Sequence, residues 1–163
     1  MAEPSDAPRA APTAPAPGEA WLFCVRAGGG RYAFDAALVS EVVRLGTLTR
    51  LPGAPPFLPG VFTHRGDVLA VLDLCQALSL PAASLGASAR AAVLRVGEWR
   101  LALLADAVEG LAAVPRRTLE PPPAGSGPAA AWLTAVGRDG RGPVAVLDLA
   151  RLVAAARDRS LGS

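Results

Sequence analysis

The residues Ala70-Val71-Leu72-Asp73-Leu74 return unchanged as Ala145-Val146-Leu147-Asp148-Leu149, 75 positions later. Two further blocks repeat in the same order. Arg31-Tyr32-Ala33-Phe34 matches Arg100-Leu101-Ala102-Leu103 at an offset of 69, which also lays Leu38-Val39 on Ala107-Val108. Phe57-Leu58-Pro59-Gly60-Val61 matches Trp132-Leu133-Thr134-Ala135-Val136 at an offset of 75. The change of six implies an insertion between the blocks, and the proline-rich stretch 121–128 accommodates it. Three matched blocks in one order describe a duplicated unit. The chain is therefore expected to form two similar subdomains, about 20–80 and 90–149, joined by 81–89.

The repeated unit reads as β structure. Trp21-Leu22-Phe23-Cys24-Val25 has the apolar texture of a buried strand, Gly28-Gly29-Gly30 turns it, and Tyr32-Ala33-Phe34 supplies the hairpin partner. Short apolar runs follow at 42–45, 61–64 and 68–73, punctuated by Pro52-Gly53, Pro55-Pro56, Pro59-Gly60 and Gly66. Short strands at such spacing predict small barrels rather than a helical bundle. Asp73 with Gln76 three residues on has the capping-box relation and predicts a short helix. A closing helix over 149–157 places Leu149, Leu152, Val153 and Ala156 on one face, packed back on a barrel.

Residues 1–19 differ in texture. Five prolines and six alanines with Glu3, Asp6 and Arg9 offer almost nothing to bury, which predicts a disordered or polyproline-like tail and no apolar stretch of a signal peptide. No apolar run in the chain reaches the ~18 residues a membrane-spanning helix needs. With 16 basic and 14 acidic residues the net charge is +2, and no basic cluster points to nucleic acid. All the basic residues are arginine; there is no Lys, Asn or Ile, and Ala alone supplies 35 residues. That bias reflects codon composition more than chemistry.

Tests for catalysis return little. Asp73 and Asp148 each stand between an apolar strand and an apolar helix, where a carboxylate accepts backbone N–H groups as an N-cap; that reading outweighs a pair doing acid/base work. His64 is the one histidine, beside Thr63 and Arg65, and reads as a strand-end or surface-loop residue. Cys24 and Cys75 read as small buried hydrophobes. The glycine run is no phosphate loop, because a P-loop needs a lysine that this chain lacks. A small Cys/His-dependent hydrolase using Cys75 and His64, or a ligand-binding barrel, is the alternative of another class. No catalytic residue, metal or cofactor is expected.

The segment 51–74 carries a resemblance. Leu51-Pro52-Gly53, Pro55-Pro56-Phe57, Gly60-Val61, the turn Thr63-His64-Arg65-Gly66 and the strand Val68-Leu69-Ala70-Val71-Leu72 closing on Asp73-Leu74 resemble the signature of the CheW family. Val39-Ser40-Glu41-Val42 resembles its upstream Val-x-Glu element, and Leu48-Thr49-Arg50-Leu51 its next strand. Trp132 to Val136 and 144–152 resemble its C-terminal strands and helix, so the likeness spans about 20–155. Three departures stand out: Thr63-His64 replaces the family's Asn-Leu, Cys75 replaces an arginine, and the tail is extra.

The resemblance implies a mainly β fold of two five-stranded barrels with a hydrophobic core between them, short helices and a C-terminal helix. It implies a non-enzymatic adaptor that couples methyl-accepting chemoreceptors to the regulatory domain of a CheA-type histidine kinase. Such an adaptor is cytoplasmic and recruited to receptor arrays, with no nucleic acid bound and no membrane insertion. The partner-facing residues it implies are Val39, Glu41 and Arg65, with Thr49 and Gly60 on further matched positions. Val39 and its repeat counterpart Val108 are expected to line a groove that takes a receptor helix.

Overall fold

The computed structural model describes residues 16–81, 89–125 and 127–161. The expected tail lies outside the described residues up to position 15, as does most of the linker. Glu19, read as tail, already belongs to the first strand.

The first half contributes β1 (Glu19–Ala27), β2 (Gly30–Asp35), β3 (Val39–Arg44), β4 (Thr49–Arg50), β5 (Gly60–His64), β6 (Asp67–Asp73) and the one-turn helix α1 (Leu74–Ala77). The second contributes β7 (Arg90–Val96), β8 (Trp99–Leu104), β9 (Ala107–Pro115), β10 (Leu133–Asp139), β11 (Gly142–Leu147) and the closing helix α2 (Leu149–Leu161). The chain is mainly β, as expected, and the repeat is visible in the order of elements.

The sheets, however, do not follow the halves. One sheet has the order β10-β11-β2-β1-β9 and the other β3-β7-β8-β6-β5-β4. Each half gives its opening hairpin to the other half's sheet. The exchange is symmetric to the residue: Ala70 pairs with Leu101 in a parallel register, and so does Ala145 with Tyr32. Val39 pairs with Leu94 as Val108 pairs with Val25. The first residues of these pairs are related by 75 or 69, the second by 69, in keeping with the sequence repeat. The sequence halves 20–80 and 90–149 therefore do not coincide with the two sheets. The two-residue β4 adds a sixth strand to the second sheet.

Each sheet curls on itself. An isolated bridge between Glu120, downstream of β9, and Val136 of β10 brings opposite edges of the first sheet together. In the second, Glu41 on the edge strand β3 reaches His64 at the end of β5, across the curl. Alternating side chains then feed separate cores. On β7 and β8, Ala91, Val93, Ala102 and Leu104 fill the second sheet with Phe62, Leu69 and Val71. Their neighbours Ala92, Leu94, Leu101 and Leu103 face the other way, into a central core shared with Phe23, Val25, Phe34 and α2. Strands buried on both faces explain why the opening runs read as continuously apolar.

The repeated aspartates cap, as read. Asp73 Oδ1 accepts from the Gln76 amide at 3.3 Å, and Asp148 Oδ1 from that of Arg151 at 3.1 Å. The α2 stripe of Leu149, Leu152, Val153 and Ala156 is buried in the central core. Its outer flank is dressed by guanidinium groups over rings: Arg157 lies 4.2 Å from the Trp99 centroid and Arg151 5.3 Å from that of Trp132.

Candidate functional site

Strand β3 is half-buried in alternation, with Val39, Glu41 and Val43 turned inward and Ser40, Val42 and Arg44 exposed. A bulge at Ser40 shifts the register between Val39 and Glu41, and Ser40 Oγ donates to the Val93 carbonyl at 3.1 Å. Val39 packs on the central core and lines a groove of about 430 Å³ with Trp21, Phe23, Ser40 and Leu111. Val108, its counterpart on β9, also packs on the central core but is not among the residues lining that groove. Leu111, 47% exposed on the same strand, stands there instead.

Two residues along β3, Glu41 meets the β5–β6 hairpin. Here Arg65 and Gly66 turn the chain with φ of 52° and 84°. Glycine adopts this left-handed conformation freely, whereas arginine does so at a cost. The Arg65 side chain is 73% exposed and its guanidinium forks onto Glu41, Nη1 to Oε2 and Nη2 to Oε1, each at 3.3 Å. His64 Nε2 lies 3.3 Å from the same Oε2. An ionised carboxylate only accepts, so the imidazole N–H points at Glu41. The His64 ring is largely covered and packs against Phe62, with ring centroids 6.2 Å apart.

Thr49 and Gly60 come together where β4 pairs with β5. Thr49 is exposed on β4, opposite Val61, while Gly60 is buried. A Cβ at Gly60 would overlap the Thr49 carbonyl oxygen, so its hydrogen serves the close approach of β4 to β5.

The sequence reading missed a second charged cluster. Arg31, 7% exposed on β2, bonds both oxygens of Asp139 at 2.9 and 3.1 Å, Glu109 at 3.0 Å and the Gly142 carbonyl at 3.2 Å. Arg26 and Arg141 also reach Glu109. The Arg31 hydrogen bond is the main cause holding Asp139 below the usual carboxylate range. Burial pushes Glu109 up, but Arg31, Arg26 and Arg141 outweigh it and the net shift is down. The matched blocks signalled only the repeated arginine, not its acidic partners. Arg100, the repeat mate of Arg31, reaches Asp67 at 2.7 Å, and Asp67 is the repeat mate of Gly142.

The Cys/His alternative finds no support in this geometry. Cys75 is fully buried beside Asp106, with its thiol pushed up to about 11, first by burial and then by the charges of Asp106 and Asp73. A nucleophilic cysteine needs the opposite shift. Among the described residues no cluster of His, Cys, Asp and Glu is placed to hold a metal ion.

Comparison with known proteins agrees with the two-sheet fold. Residues 22–157 match the family described as CheW-like domain. The chain belongs to the CheW family. It is 38% identical over 157 residues to the protein FrzA of Myxococcus xanthus, covering 95% of this chain and 98% of that one. It is 25% identical over 136 residues to the chemotaxis protein CheW of Treponema pallidum, covering 80% of each. The crystal structure of the scaffolding protein TtCheW from Thermoanaerobacter tengcongensis superposes with a TM-score of 0.73 at 21% identity, over 82% of this chain and 92% of that one. As a member of the CheW family the chain is a scaffold or adaptor of chemotaxis signalling. Within that frame, Val39, Glu41 and Arg65 fall on one strand and the turn it touches.

Proposed function

We propose that this CheW-family protein couples methyl-accepting chemoreceptors to the regulatory domain of a CheA-type histidine kinase, in the cytoplasm at receptor arrays. The observation that carries the reading is the division of labour along β3. Its first residue, Val39, opens onto an apolar groove suited to a receptor helix. Two residues on, Glu41 supports an outward Arg65 suited to forked hydrogen bonding with a partner carboxylate or carbonyl. One short element thus serves two docking surfaces. Thr49, exposed beside the β5–β6 hairpin, is a peripheral contact of the kinase surface, and Gly60 supports it from beneath.

Burial and the raised values of both thiols argue against cysteine-dependent chemistry. No helix among the described residues is long and apolar enough to cross a membrane. The test is reconstitution from purified parts. The protein, the kinase regulatory domain and a receptor cytoplasmic hairpin fragment from the same cell are expected to co-sediment as a three-part complex. Each pair containing the adaptor is expected to bind alone. A protein that binds neither partner at micromolar concentration overturns the proposal.

A further inference from the structure

The turn beside Arg65 departs from the family pattern at His64, and the structure gives that departure a task. We propose that His64 is a positioning residue for Arg65, acting through Glu41. The inference rests on the reading of Arg65 as a partner contact.

A long arginine on an exposed turn samples many rotamers, and ordering it on binding costs up to about 2 kcal/mol of side-chain entropy. Glu41 reduces that freedom by accepting both arms of the guanidinium fork. A lone surface carboxylate is itself mobile and makes a poor anchor. Here it is not alone. His64 Nε2 holds Oε2 at 3.3 Å, with the ring only 17% exposed and packed against Phe62. The leucine expected from the family pattern offers no N–H at that place. The neighbouring charges do not compete. Asp67, paired in register with His64 across the hairpin, is occupied by Arg100. Among the described residues, the charged partners recorded for His64 and Arg65 come down to Glu41. Held in this way, Arg65 enters an encounter with its guanidinium already aimed, which is how preorganisation contributes affinity without a new contact.

The test is a double-mutant cycle on affinity for the kinase regulatory domain. Arg65→Ala reports on the underlying reading, and its expected loss is roughly thirtyfold. His64→Leu is expected to lose roughly tenfold, and His64→Gln, which keeps an N–H donor, to recover most of that. In the Arg65→Ala background His64→Leu is expected to change nothing further, since its effect runs through Arg65. Normal binding by Arg65→Ala removes the reading itself. A full loss with Arg65→Ala but none with His64→Leu removes only the role of His64. Additive losses in the double mutant also overturn it, by making His64 a direct contact. Should His64→Leu lower the melting midpoint by several degrees, His64→Phe, which keeps a ring on Phe62 and removes the N–H, completes the same cycle: its loss too must vanish in the Arg65→Ala background, and a loss that persists overturns the proposal.

Discussion

Arg65 and Gly60 show two ways in which a single residue is fitted to its place. Arg65 sits at φ 52° in a turn where glycine is at ease, so its side chain is retained against a backbone cost. With 73% of that side chain exposed, its pair with Glu41 adds little stability. Arg65→Ala is therefore expected to unfold within about ±0.5 kcal/mol of the parent in urea titration. Arg65→Gly is expected to be no less stable than the parent, because the turn relaxes. Both are expected to lose kinase binding; a large destabilisation of either makes Arg65 structural. Gly60 is the converse case, a residue chosen for what it lacks. Gly60→Ala forces β4 off β5 or strains both, at an expected cost of about 1–3 kcal/mol read from the same titration.

At the scale of elements, the opening hairpin β1–β2 is secured in the foreign sheet by Arg31. Its guanidinium ties β2 to β9 through Glu109 and to the end of β10 through Asp139. Arg31→Gln strips a covered pair of its main partner and is expected to cost about 3 kcal/mol. The effect has a pH signature. Both carboxylates are held below their ordinary values in the folded state, so their contribution is complete above the unfolded values, near 4. It is lost as the pH falls through the folded values. Unfolding free energies between pH 6 and 2.5 are thus expected to fall more steeply below about pH 4 in the parent than in Arg31→Gln. Parallel curves would mean that the cluster contributes nothing. The closing helix is fixed differently, by Leu152 and Val153 inside the central core and by arginine–aromatic contacts outside it.

For the whole molecule, the exchange of hairpins makes each half depend on the other. A fragment of residues 20–82 keeps β1 and β2 but lacks β9 and β11, on which they pair, and its β6 lacks β8. It also loses most of the central core. A chain of that length is marginal even with an intact core. The fragment alone is expected to show no cooperative thermal transition by circular dichroism, and mixing it with residues 83–163 is expected to restore one. A sharp transition from 20–82 alone would contradict the shared core. Removing residues 1–15 is expected to leave the midpoint within about 1 °C, since β1 begins at Glu19 and the first core side chains are Ala20 and Leu22.

The sequence by itself determined the duplication, the strands, the two capping aspartates and the family, because each is written in short-range pattern: alternation, punctuation and the matched blocks. It also marked Val39, Glu41 and Arg65 by motif. It did not reveal that the halves trade hairpins, since a repeat carries the same pattern whichever copy it pairs with, and only the packing of β1 on β9 and β7 on β3 selects the partner. Nor did it place His64 on Glu41 or Leu111 in the groove beside Val39, because those neighbours are brought together by the curl and the exchange of the sheets. The Arg31 cluster belongs to the same class: residues 31, 109 and 139 are distant in the chain and meet only when one half's hairpin enters the other half's sheet.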